Sequence, residues 1–242
     1  MRPVDKGNSP YSEIDEYQEA EAYLEKQIGS YCSFCEMPIC NAPAVEHKES
    51  KNSGGALTDW DNLLLGCVYC NSRKGEKIKK GDLDKWIWPD SHNTFLAFTY
   101  KDAAPKLNKK YLQTLDTVVY GRAKKTFEDL ALDYCPSANE AEIKSKRDRK
   151  IKDKRWMRRI NTFNVAMEAK QIWLKYKGVP GEEEQLKNIV NQAKGYGFFS
   201  VWMMVFEEET SVRNALVQAF PGTDKQCFDG NGTPIRKEGS IL

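Results

Sequence analysis

Within the forty positions from Cys32 to Asn71 lie two Cys-x-x-C pairs, Cys32-Ser-Phe-Cys35 and Cys67-Val-Tyr-Cys70, with Glu46-His47 and Asn62 between them and Asn71 directly after. Two such pairs can set four thiolates tetrahedrally around Zn²⁺, whose filled d shell accepts that geometry and undergoes no redox chemistry. The bland alternatives are reduced structural cysteines or a thioredoxin-like redox pair, but a redox motif has no need of a second knuckle. Zinc would staple the segment between the knuckles and supply most of its local folding energy, about 10–16 kcal/mol in small zinc peptides. Cys40 follows Cys35 at a spacing that fits a knuckle less well, and it is left out of the site with Cys135 and Cys227.

A second, different chemistry is implied by the other residues. Imidazole has an unperturbed pKa of about 6.5, so His47 can take a proton from water near neutral pH. The carboxylate of Glu46 and the amide oxygen of Asn71 are hard donors, suited to Mg²⁺ or Mn²⁺ and poorly suited to zinc. Sulfur therefore serves structure and oxygen serves reaction. His92, in "PDSHNT", has no such company and reads as structural.

These groups need elements to position them. The stretches "PAVEH" and "NLLLG" read as two short strands separated by the turn-rich "SKNSGGALTD", and "NSRKGEKIKK" after Cys70 is compatible with a short basic helix. Residues 12–28 read as a helix opened by an S-x-x-D cap at Ser12 and closed by Gly29. The aromatic-rich 84–100 segment predicts core packing that ends in a strand over Leu96–Tyr100. Beyond it the pattern is mostly helical. Trp156, Ile160, Phe163, Met167 and Trp173 recur at helical spacings within 144–178, and further helices are expected at 182–194 and 198–219.

The run Glu46-His47, Asn62-Leu63, Cys67-x-x-Cys70-Asn71 and Lys74-Gly75 resembles the HNH endonucleases. That resemblance implies an α+β chain in which a small zinc-stapled ββα-metal core is embedded in a mostly helical polypeptide. It implies that His47 is the general base and that Glu46 and Asn71 hold a catalytic Mg²⁺ or Mn²⁺. Asn62 would fix the loop between the strands through backbone hydrogen bonds, and Cys32, Cys35, Cys67 and Cys70 would hold the structural zinc. Glu46 stands where Asp is commoner in the family. The implied activity is phosphodiester hydrolysis in nucleic acid, with DNA the expected substrate, and Arg73, Lys74 and Lys77 supply phosphate-binding charge after the helix start. The competing reading is a zinc-stabilised adaptor that binds nucleic acid or protein without cutting.

The whole-chain charge of +2 over 242 residues hides two opposite imbalances. Residues 1–30 carry seven acids and three bases, and residues 144–159 carry ten bases and two acids, which suggests two different neighbours. The latter run reads either as a phosphate-tracking or docking surface or as a solvated helix face. The expected organisation is an acidic helical arm over 1–30, a nuclease core over 31–82, and a mainly helical region over 83–242 that packs on the core or docks a partner. The outer segments 88–100, 123–133 and 152–166 and the late "FPGTDKQCFD" resemble the HNH subunits of bacterial antiphage systems of the Septu type, the PtuB-like group. This resemblance implies an ABC-type ATPase partner. "MRPVDKGNSP" lacks the apolar core of a signal peptide, and the most apolar run, at 197–206, is far shorter than the ~20 residues a bilayer needs. A cytoplasmic location is the expectation.

Overall fold

The computed structural model describes residues 1–41, 43–101, 103–135 and 153–242. It is a mixed α+β arrangement. A two-stranded antiparallel sheet pairs β1 (Ala44–His47) with β2 (Leu63–Gly66), in register Glu46↔Leu64 and His47↔Leu63. β2 runs straight into helix α2 (Val68–Lys74), so strand, strand and helix form a ββα unit. α1 (Ala20–Ile28) packs against both strands through Ala20, Leu24 and Ile28.

Around this unit lie α3 (Thr94–Ala97), a second hairpin of β3 (Phe98–Lys101) and β4 (Ala104–Leu107), α4 (Lys109–Leu112) and α5 (Thr117–Asp129). The C-terminal half is α6 (Arg155–Tyr176), α7 (Glu182–Tyr196), α8 (Phe199–Val205) and α9 (Thr210–Ala219). One apolar cluster unites the thiols, β2, Trp86, Trp88 and Phe98, and a second joins α6 to α9 around Trp173, Trp202 and Phe206. Among the described residues no helix is long and apolar enough to cross a membrane.

Several sequence expectations shift in detail. The first helix starts at Ala20, after a turn over Tyr17–Glu19 whose capping box is Glu16 with Glu19, and Ser12 caps nothing. Gly29, at φ 73°, does close it. α2 stops at Gly75, whose φ of 49° suits glycine, so the basic residues from Lys77 onward are not helical continuations of α2. The helix expected at 198–219 is two helices broken between Val205 and Thr210. In α6 the inward face is Arg155, Arg159, Thr162, Ala166, Ala169 and Trp173, while Ile160 and Met167 are exposed. Periodicity identified a helix there; it could not choose between two partly apolar faces. Of the basic run, residues 144–152 lie outside the described residues.

A buried charge network braces the hairpin from behind. Asp90 accepts from Lys48 at 2.8 Å and faces Lys6 at 3.2 Å, and Lys6 Nζ also donates to the carbonyls of Trp60 and Leu63. Burial by itself would raise the Asp90 carboxyl, but the ammonium groups of Lys48 and Lys6 outweigh it and hold the group below the usual carboxylate range. The clamp joins the end of β1 to the turn that feeds β2. Removing one member strands the others: Asp90→Asn should cost about 3–5 kcal/mol in urea denaturation of zinc-loaded protein at pH 7. A loss below about 1 kcal/mol would mean that the lysines find other partners.

Candidate active site and zinc centre

The four thiols of Cys32, Cys35, Cys67 and Cys70 lie within 4.8 Å of one another, all buried, and none is in a disulfide. Cys35 and Cys67 place their sulfurs 3.7 Å apart. Four sulfurs at about 2.3 Å from a tetrahedral zinc would be separated by about 3.8 Å, so the donor set and spacing fit the ion. Local structure brings them there. Cys67 caps α2, accepting from the Cys70 N–H, while the first knuckle turns at Glu36, whose φ of 66° lets its N–H reach the Cys32 carbonyl at 2.8 Å. Cys40 and Cys135 are exposed and Cys227 is buried in the other cluster, away from this group.

Four thiolates around Zn²⁺ leave a net charge of about −2 in a buried place, which needs an opposing charge. Arg155, at the start of α6, supplies it: Nη1 donates to Cys70 Sγ at 3.4 Å, while Nε and Nη2 hold Asp153 and Nη2 also reaches the carbonyls of Leu130 and Ala131. Burial opposes the charge on Arg155, but Cys70 and Asp153 more than restore it. Arg159, one turn on, is also buried and donates to the Leu132 carbonyl. These two bases of the 144–159 run thus serve the interior. No local sequence signal separates them from their solvated neighbours; only the three-dimensional path of α6 does.

The ββα unit sets out the second group. His47 ends β1, buried to 5% exposure, and its Nε2 lies 2.9 Å from the Leu57 carbonyl oxygen. A carbonyl only accepts, so Nε2 carries the proton and the lone pair of the neutral ring is on Nδ1. No group among the described residues bonds to Nδ1. Burial lowers the His47 pKa below its ordinary value, against the raising effect of the Leu57 bond, and the nearby Lys51 and Lys74 lower it further. The ring is therefore neutral, with a free lone pair, near pH 7. Tyr17 packs its edge against the imidazole with centroids 4.8 Å apart, and Lys51 donates to the Tyr17 hydroxyl. Neither residue stood out in the sequence, because each is distant from the motif or ordinary within it.

Asn62 holds the loop that presents Leu57. Its Oδ1 accepts from the Glu49 N–H at 2.8 Å, and its Nδ2 donates to the carbonyls of Glu49 and Ala56 at 3.2 and 2.7 Å. Gly54-Gly55 makes this loop possible: Gly54 sits at φ 88°, and a Cβ on Gly55 would overlap the Glu49 carbonyl.

Glu46 is buried at 5% exposure and pairs with Lys74 at 3.0 Å. Burial raises its pKa, and Lys74 pulls in the opposite direction. Asn71 stands one helical turn before Lys74 on α2, half-buried. The donor types, one carboxylate and one amide oxygen, suit a hard divalent cation. Lys74 departs from expectation, since its ammonium is sealed at 1% exposure against Glu46 and does not stand on a surface with Arg73 and Lys77. Arg73 stacks over Tyr134 at 4.7 Å and faces Asp153, and Lys77, 41% exposed, donates to the Asp129 carbonyl. His92 Nδ1 accepts from the Trp88 N–H at 2.8 Å, in keeping with its structural reading.

Purified protein should contain about one zinc per chain, and Cys32→Ser or Cys70→Ser should lose it together with cooperative unfolding. Elemental analysis that finds under about half an equivalent in well-folded protein would remove the metal from this clamp. No curated protein and no solved structure matches the chain. The stretch with this geometry, residues 31–77, does match the model of the HNH endonuclease family.

Proposed function

We propose that the chain is a metal-dependent nuclease that hydrolyses phosphodiester bonds in DNA, with His47 as the base. The observation that carries this reading is the Nε2 to Leu57 bond, which leaves Nδ1 of a neutral imidazole free to accept a proton from water. It lies inside the segment that matches a nuclease family.

In this reading Glu46 and Asn71 hold a Mg²⁺ or Mn²⁺ ion. Such an ion, when bound, offsets the charge that develops on the phosphoryl group and the departing 3′ oxygen. His47 Nδ1 draws the proton from the attacking water, and the Leu57 carbonyl stabilises the imidazolium that results. Asn62 keeps that carbonyl in place by fixing its loop. Lys77, with exposed Lys79 and Lys80, offers charge to the phosphate backbone. The likeness of the outer segments to Septu-type subunits supports a setting in antiphage defence beside an ABC-type ATPase.

The test is cleavage of plasmid DNA and of RNA in Mg²⁺ or Mn²⁺, with and without a co-expressed ATPase. His47→Ala should slow cleavage by about 10²–10⁴-fold while zinc content and circular dichroism stay unchanged. Equal rates in the two proteins would remove His47 as the base. Salt-dependent binding with no cleavage under any metal, indifferent to His47→Ala and Glu46→Ala, would favour the non-catalytic adaptor instead.

A further inference from the structure

The carboxylate that the proposed function gives to a divalent cation already has a cation on it. Lys74 Nζ sits 3.0 Å from Glu46 Oε1, with the two side chains 1% and 7% exposed. Among the described residues the other polar contact of the ammonium is a long one, 3.5 Å, to the Gly75 carbonyl. The glutamate stands on a paired strand. Gly66 lies diagonally across the sheet from Glu46, and a Cβ added there would come within 3.1 Å of Glu46 Cβ, so the stem of the glutamate lies close over the bare Gly66 backbone. Lys74 is different. It is the last residue of α2, on a long flexible stem, next to a glycine that ends the helix.

From this geometry we infer that divalent-metal entry is a cation exchange: the ion and the Lys74 ammonium compete for Glu46, and Lys74 lowers metal affinity until an anion receives the displaced ammonium. The inference rests on the reading of Glu46 as a metal ligand. An ammonium and a dication a few ångströms apart in a buried site repel, so each weakens the other's hold on the one carboxylate. Once displaced, the ammonium needs water or an anion, because leaving it buried and unpaired is costly. A phosphodiester backbone provides that anion. Metal and nucleic acid therefore bind with positive coupling, and the coupling is reciprocal. The consequence is a site that holds the ion weakly in free protein and more tightly on substrate.

Mn²⁺ affinity, read by calorimetry and by electron paramagnetic resonance on zinc-loaded protein, tests the exchange without any assay of cleavage. Lys74→Met should bind Mn²⁺ roughly 5- to 150-fold more tightly than the parent, the usual span of a coupling between sites. A non-cleavable phosphorothioate duplex should tighten Mn²⁺ binding in the parent and do so much less in Lys74→Met. Lys74→Arg keeps the charge and should keep the weaker affinity. Binding that depends on Glu46, lost in Glu46→Gln, yet is the same with and without Lys74, would overturn the exchange while leaving the metal site standing. Binding in none of these proteins, or binding unaffected by Glu46→Gln, would overturn the metal reading and the exchange together. If Lys74→Met does not fold, the wild-type protein still decides: with ¹³Cε-labelled lysine, the Lys74 resonance should shift along the Mg²⁺ binding isotherm. A resonance that stays fixed as Mg²⁺ saturates the site would overturn the proposal.

Discussion

The convergence of four sulfurs within 4.8 Å constrains everything else in this molecule. Fixing Cys32 and Cys35 against Cys67 and Cys70 closes a loop of more than thirty residues, an entropic cost that a bound zinc would help to offset. Once closed, it determines where α2 begins, since Cys67 is both a sulfur donor and the helix cap. It also determines where β2 ends and hence which residues of β1 lie across from it. The knuckle reaches outward as well. Glu36 turns the first pair and then accepts from the backbone and hydroxyl of Ser200 and from the Met1 amino group, and its carbonyl accepts from Phe198. With Arg155 on Cys70, these bonds key the C-terminal helices to the sulfur cluster, so the helical portion is tied to the small ββα unit by polar contacts as well as by packing.

Buried charge is the recurring device. Glu46 with Lys74, Asp90 with Lys6 and Lys48, and Arg155 with Asp153 each place opposite charges in regions of almost no exposure. Such pairs add little net stability compared with apolar residues of the same volume, because desolvation consumes most of the attraction. They do make misplacement expensive, since a slip in register would bury a lone charge. In a hairpin of only four residues per strand, where few ladder bonds specify register, that penalty helps to hold Glu46 and His47 where they are.

His47 shows how a modest environment selects one tautomer of a neutral imidazole. One carbonyl selects the tautomer, burial keeps the ring neutral, and a loop held by the three hydrogen bonds of Asn62 supplies the carbonyl. None of these groups is reactive by itself. The Gly54-Gly55 turn belongs to the same device, because the loop folds back on the Glu49 carbonyl where no side chain would fit.

Much of the site was legible from the chain because its parts are short-range. Cys-x-x-C spacing, a glycine pair between two apolar runs, and Asn71 after Cys70 are local patterns whose chemistry follows from residue type. The strands at 44–47 and 63–66 fell within the expected stretches for the same reason. What only the tertiary structure decided are the long-range partners of charged side chains. Lys74 read as a surface base and is the counter-ion of Glu46; Arg155 and Arg159 read as part of a basic run and lie inside; Ile160 and Met167 read as core and face out. Charge and hydropathy state what a residue prefers, and a helix with two suitable faces satisfies that preference either way round. Which face turns inward is settled by the elements already packed there, here a sulfur cluster that requires a positive charge beside it.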